Sequence, residues 1–167
     1  MSKSTKPRRD KTYYPIIINE KESLKSNEIG EDIDSSILAK IKKKIGNKCN
    51  KDGYIDEPTI KLLERSIGKI NTSHFSGDII FDVKLEAKCC NPMEGDIISC
   101  KVMGKNKMGI ICQNYPLLIA LSKIHHQDQL SDFNKIEIGS QIKIEVICSK
   151  YDLNDTEINV IGKLYEI

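Results

Sequence analysis

The sequence predicts an α+β chain whose second half is a small five-stranded β-barrel, and three observations point there. Residues 79–87 alternate strictly, with Ile79, Phe81, Val83 and Leu85 on one face and Asp82, Lys84 and Glu86 between them. That is the pattern of a half-buried strand. Gly95, Gly104 and Gly109 punctuate the stretch from 92 to 112, and glycine lets strands bend and backbones approach as a small closed barrel requires. Isoleucine supplies roughly one residue in six, far above average usage, and its branched Cβ packs well on pleated surfaces.

In chain order, residues 1–12 are polar and basic, with Lys3, Lys6, Arg8, Arg9 and Lys11 against Asp10. Without apolar residues the segment is expected to be disordered, serving as an arm for nucleic acid or a partner, or as a solubilising tail. Residues 13–19, with Pro15 ahead of three isoleucines, suit a short strand. Residues 20–30 are polar and loop-like. Asp34, Ser35 and Ser36 offer an N-cap for a helix over 37–45, whose apolar residues recur at 37, 38, 41 and 45. Lys42, Lys43 and Lys44 complement the dipole at its end, and Gly46 closes it. Residues 47–52 form a turn into a strand at 53–55. Residues 59–70 stay open: positions 60, 63 and 67 fit a helix, 60 and 62 a strand. A turn-rich loop at 71–78 leads into the alternating strand.

Beyond Asn91 and Pro92 lie five candidate strands, at 96–103, 107–112, 117–121, 141–148 and 157–164, joined by Gly- and Asn-marked turns. That count matches the five-stranded OB barrel, with residues 125–137 as its one long connection. The expected organisation is a basic tail over 1–12, a sheet-and-helix domain over 13–91 and the barrel over 92–167.

Formal net charge is +2, unevenly placed. The tail carries about +4, the middle balances, and 93–167 comes to about −2. Counterion release supplies most non-specific nucleic-acid affinity, so a barrel that is not basic should contact RNA locally and weakly. The six cysteines, at 49, 89, 90, 100, 112 and 148, have no zinc-site spacing, and neighbours Cys89 and Cys90 cannot share one side of a strand. Buried thiols in a reduced compartment are expected. No apolar run approaches the roughly 20 residues that span a bilayer, so no membrane association is expected. No nucleophile motif accompanies His74, His125 or His126, and no acidic pair converges as a Mg²⁺ site would need. The expectation is no catalytic residue, no metal and no cofactor.

On an OB fold, the face of strands two and three and the adjoining loops carry nucleic acid. The candidate RNA-binding residues are therefore Lys101, Lys105 and Lys107 around the first barrel hairpin, Lys123, His125 and His126 after the third strand, and Lys150 and Tyr151 before the last. The alternative is a set of ordinary solvated lysines.

The order of motifs resembles a known family. Asn50-Lys51-Asp52-Gly53-Tyr54-Ile55 resembles a turn into a Gly-Tyr-Ile strand. Gly68-Lys69-Ile70, Ser76-Gly77-Asp78 and Phe81-Asp82-Val83-Lys84 resemble a Gly-basic-Ile element, a loop and a Phe-x-Val strand. Pro92-Met93-Glu94-Gly95 resembles a Pro-x-x-Gly junction, and Val160-Ile161-Gly162-Lys163-Leu164 a closing Ile-Gly-x-Leu. Chance matches should not keep order and spacing over most of a chain. The chain is similar to the seventh subunit of eukaryotic and archaeal multisubunit DNA-directed RNA polymerases, the larger member of the stalk pair. Its Ile/Lys/Asn-rich composition is similar to versions encoded by large cytoplasmic DNA viruses, with an AT-rich protist as the other source.

The resemblance implies a truncated RNP-like tip domain followed by an OB barrel of the S-one type, and makes 59–67 a strand. It implies a non-catalytic subunit whose tip docks on the polymerase core and whose barrel meets nascent single-stranded RNA or transcription factors. Implied partners are the largest polymerase subunit, the adjacent small common subunit and, where one exists, a subunit-four-like protein. The docking candidates are Tyr54, Ile55, Gly68, Lys69 and Ile70, although Tyr54 and Ile55 also suit the tip's own core. Location in the virion and the cytoplasmic viral factory is implied for a viral source, the nucleus otherwise. Met108-Gly109-Ile110 departs from barrels of this type that carry aromatics there, which keeps the expected RNA affinity modest. The rival reading is a free-standing S-one-type RNA-binding protein of translation or RNA decay, distinguished by tight, steeply salt-dependent RNA binding.

Overall fold

The computed structural model describes residues 13–73 and 76–166; the basic tail and His74 lie outside them. Two sheets succeed one another along the chain. The first contains β1 (Tyr13–Leu24), β2 (Lys48–Asn50), β3 (Gly53–Ile55), β4 (Lys61–Arg65), β5 (Lys69–Ile70) and β6 (Ile79–Cys90), with α1 (Ile33–Ile45) packed on one face. The second contains β7 (Ile97–Lys105), β8 (Gly109–Asn114), β9 (Leu117–Ser122), β10 (Gln141–Lys150) and β11 (Ile158–Glu166), with the short helix α2 (Leu130–Lys135) between β9 and β10.

β6 is the spine of the first sheet. Its whole length pairs antiparallel with β1 on one side, from Tyr13↔Cys90 to Leu24↔Ile79. Along the other side it pairs in turn with β3, β4 and β5. Its alternation puts Phe81, Val83, Leu85, Ala87 and Cys89 into a core under α1, with Ile37 and Ile41 of the helix fully buried against them. The opposite face is mostly polar, although Ile17 is exposed on it: Lys21 meets Asp82 at 3.8 Å and Lys84 meets Glu64 at 3.8 Å.

The segment expected as a loop over 20–30 is strand up to Leu24. Its Glu, Lys and Ser residues hide the period, and pairing with β6 decides the conformation. The helix starts four residues earlier than expected, because Asp32 rather than the 34–36 group caps it, accepting a hydrogen bond from the Ser35 N–H at 3.1 Å. Gly46 donates back to Lys42 O at 2.8 Å and ends the helix as expected. Lys40 and Lys44 close over the buried Glu22 at 3.8 and 3.6 Å, tying α1 to β1. Residues 59–70 resolve into strands β4 and β5. A bulge between Leu62 and Glu64 breaks the two-residue period, which is why the sequence pattern is undecided there.

The second sheet closes on itself in the order β7-β8-β9-β11-β10, back to β7. Every pairing is antiparallel except β9 with β11. A closed five-stranded barrel in this order is consistent with an OB-like fold. The connection expected over 125–137 is a 3₁₀ stretch (Lys123–Gln129) running into α2, which plugs the barrel with buried Phe133 and Ile136. The second barrel strand begins two residues later than expected. Asn106 Oδ1 accepts from the N–H groups of Met108 and Gly109 at 2.9 and 2.8 Å, making Lys107 and Met108 part of the turn.

Candidate nucleic-acid and docking interface

Three places bear on function: the joint between the sheets, the free edge of the first sheet, and the outer face of the barrel. At the joint, β6 and β3 serve both cores at once. Side chains opposite one another in a ladder share a face, so the pair Ile55 and Cys89 enters the core under α1 while Tyr54 and Cys90 enter the barrel core. The adjacent thiols do point to opposite sides, and both sides are interior. Cys49 joins the barrel core, and its backbone makes two hydrogen bonds to the turn before β11, to Asp155 O at 2.7 Å and from the Asn154 N–H at 2.9 Å. The Tyr54 and Tyr115 hydroxyls lie 2.7 Å apart, their rings meeting edge to face at 5.8 Å. Tyr13 and Tyr151 pack on the same cluster, and the Tyr14 hydroxyl, the Cys89 thiol and the Asn91 amide all donate to Asp52 O.

Gly53 has φ +133° and sits against Cys90 O and Asn91. A side chain there would be strained and would collide with the joint. Burial sets the acid–base character of this seam. It pushes the Cys49 and Cys89 thiols up to about 11, Cys90 and the Tyr14 phenol up to about 12, and Tyr54 further still.

Tyr54 and Ile55 are fully buried, so neither offers a docking surface; they hold the joint. Gly68, another docking candidate, packs within its own sheet. Its Cα lies so near Ile79 and the Phe81 ring that a Cβ would overlap both, and the chain it approaches is its own β6. That contact pins the neighbouring residues at the sheet edge. Ile67 is 87% exposed and Ile70 is 71% exposed, with Leu63 and Lys69 exposed beside them. Arg65 of the same edge turns inward, pairing with Asp34 and lying 5.7 Å from the Phe81 ring centroid.

The barrel candidates divide. Lys107 and Lys123 line one groove of about 440 Å³ together with Met108 and Ile124, at the end of the barrel away from the joint. Lys101 is exposed on β7 and His125 beside the groove's helical turn. Lys150 and Tyr151 are at the joint end instead, and Tyr151 is packed on the core rather than offered to a base. Lys105 donates to Phe133 O, Asn134 O and Ile136 O at 3.4, 2.7 and 3.0 Å. It caps the end of α2, where a cation satisfies orphan carbonyls. His126 is 2% exposed. Its Nε2 accepts the Leu164 N–H at 2.7 Å, its Nδ1 lies 2.6 Å from Ser122 O, and its ring leans on Phe133 at 4.7 Å. Lys105 and His126 are therefore structural, and no local sequence signal distinguishes them from their exposed neighbours Lys107 and His125. What the sequence missed is the apolar content of this face: Met103, Met108, Ile111, Ile124 and Ile161 are all exposed.

Among the described residues no group of three His, Cys, Asp or Glu could hold a metal ion, and no helix is long and apolar enough to cross a membrane. The cysteines form no disulfide.

No protein-family model matches the chain. A protein of Acanthamoeba polyphaga mimivirus, provisionally named DNA-directed RNA polymerase subunit L376, is 26% identical over 166 residues, spanning 93% of this chain and 83% of that protein. The DNA-directed RNA polymerase II subunit RPB7 of Glycine max is 24% identical over 166 residues, spanning 91% of this chain and 92% of that subunit. Both alignments run through the two sheets and the joint, so along nearly its whole length the chain is similar to RPB7-like subunits of DNA-directed RNA polymerase, one of them from a virus.

Proposed function

We propose that the chain is a non-catalytic stalk subunit, with a truncated RNP-like tip over 13–91 and an S-one-type OB barrel over 92–167. The tip docks on the largest polymerase subunit and the adjacent small common subunit through the β4–β5 edge, where Leu63, Ile67, Lys69 and Ile70 are exposed. The barrel projects outward toward emerging RNA and transcription factors, with a subunit-four-like protein beside it where one exists. Nucleotide addition belongs to the large subunits. For a viral source, the place of work is the virion and the cytoplasmic factory.

The observation that carries this reading is the shared core at the joint. Tyr54 and Cys90 belong to strands of the first sheet, yet sit in the barrel's interior. Two such coupled sheets move as one body, which a stalk needs and a freely tumbling RNA binder does not. The apolar edge remains uncovered while the joint is sealed, and isolated exposed clusters of this kind mark contact sites.

Affinity purification of the tagged chain from its native cell or virion tests the proposal. The expected result is the large polymerase subunits in fixed proportion, with no nucleotide incorporation by the chain alone. Recovery without polymerase, together with tight RNA binding that collapses with salt, would overturn it in favour of a free-standing RNA binder.

A further inference from the structure

We infer that the outer face of β7, β8, β9 and β11 receives an acidic amphipathic segment of a protein. The inference deepens the stalk reading and rests on it only in that a polymerase-bound factor would be the source of the segment.

The face has a built geometry. Register places Gly104 beside Ile111, Ile111 beside Ala120, and Ala120 beside Ile161, so one apolar row crosses four strands. Met103 stands at the β7 bulge that starts the row. Three inter-strand spacings make it about 14 Å long, close to three turns of helix. At one end the row opens into the groove of about 440 Å³ between residues 106–111 and 120–124, where Met108 is 82% exposed and Ile124 is 74% exposed. The Asn106 turn and the hydrogen bond from the Lys123 N–H to Met108 O at 3.1 Å hold these side chains outward. An apolar strip of this length, left open, is a partner site rather than scattered surface hydrophobicity.

Charge selects the partner. From residue 93 onward the chain has ten acidic and eight basic residues, yet β7, β8 and β9 carry no acidic residue and β11 carries only Glu166 at its end, paired with Lys143 at 2.7 Å. The groove's charged lining residues are Lys107 and Lys123. An apolar centre with a lysine rim complements a helix with an apolar stripe and acidic flanks.

Composition separates this occupant from RNA. Sequence-tolerant single-strand binding relies on aromatic rings that stack bases, and no aromatic residue lines the groove. Thioether and aliphatic side chains re-pack around a peptide's apolar stripe instead, and methionine suits such adaptable surfaces. Lys105, which would have added a phosphate contact, is engaged at the end of α2.

Methyl-labelled methionine spectra of the full chain test this directly. Of its four methionines, Met103 and Met108 report on the face and Met93, before β7, serves as an internal control. Three probes are titrated: a designed amphipathic helix of about three turns with glutamates on its polar side, the same helix with lysines, and a single-stranded oligouridine. The glutamate helix is expected to shift Met103 and Met108 while Met93 stays still, and the lysine helix to leave all of them in place. The double variant Met108→Glu with Ile124→Glu should bind at least about tenfold more weakly, with an unchanged melting temperature. A glutamate helix that shifts neither reporter overturns the inference, as does an oligouridine that shifts Met108 and displaces the helix. The double variant should still co-purify with the large subunits. Loss of polymerase from the unmodified chain would sink the stalk reading while leaving the peptide result standing.

Discussion

In the barrel every strand has two hydrogen-bonded neighbours, whereas in the first sheet β1, β2, β4 and β5 each pair with one. The barrel therefore has no free strand edge, and recognises a partner through side chains on its outer face and loops. The first sheet keeps open edges and guards them unevenly. Lys61, Glu64 and Arg65 and a bulge blunt β4 against strand addition, and β5 is two residues long. Apolar side chains nonetheless stand out around β4 and β5, at Leu63, Ile67 and Ile70. The closed sheet thus suits exchangeable partners met by its face, and the open one suits a fixed seat on a larger body.

That contrast depends on the two sheets being one rigid unit, and Tyr54 is where the dependence is greatest. The residue is on a strand of the first sheet, fully buried in the barrel's core, and hydrogen-bonded to Tyr115. Tyr54→Ala should cost about 3–5 kcal/mol, the range for removing a large buried aromatic side chain. Because the cavity opens at the joint, urea unfolding should separate into two transitions. Ile55→Ala, one residue on and facing the other core, should cost about 2–5 kcal/mol and lower the midpoint of a single transition. Tyr54→Phe, which removes only the hydroxyl and its hydrogen bonds to Tyr115 and Asn47, should cost about 1–2 kcal/mol. A single unshifted transition for Tyr54→Ala would mean that the sheets are coupled elsewhere.

Alkali should loosen the same seam more gently. The Cys49, Cys89, Cys90 and Tyr14 groups are neutral when protonated, and burial raises their folded values to about 11, 11, 12 and 12. A raised folded value lends stability that is complete below the unfolded value and disappears as pH climbs through the folded one. For these thiols the window opens near the unfolded value of about 8.5. Melting temperature should therefore hold steady up to about pH 8 and fall progressively as pH rises toward 11. A curve flat to pH 11 would show that the thiols reach water freely and that the joint is open.

The barrel was legible in the sequence because its strands alternate and glycines mark its bends. Gly109, for instance, allows β8 to pass against the Leu121 carbonyl. The joint was legible only in part. The strand period shows that Cys89 and Cys90 face apart, but a one-dimensional pattern does not reveal that both sides are interior. For the same reason Tyr54 and Ile55 could be assigned either to docking or to core, and the structure assigns them to two cores. Residues 20–24 read as loop but are strand, because a strand with a bare face looks like a loop when that face carries Lys and Ser. The sites were least legible where two like residues do different work. Lys105 caps a helix and Lys107 faces solvent; His126 accepts a buried N–H and His125 is exposed. Those roles arise from contacts with residues 29 and 38 positions away, which no local motif encodes.

The smallest expected effect on stability is the most informative about function. Ile67→Asp with Ile70→Asp alters two side chains that already meet water, and surface changes of this kind stay within about ±0.5 kcal/mol. Neither position supplies the close contact of Gly68 with Ile79 and Phe81, so the edge should keep its shape. Co-purification with the large polymerase subunits should nonetheless fall sharply, because each new carboxylate would have to be desolvated in an apolar seat. Met108→Glu on the barrel should leave that association intact. If the edge variant keeps the polymerase and the barrel variant loses it, the roles of the two sheets are reversed, and the closed sheet is the one that docks.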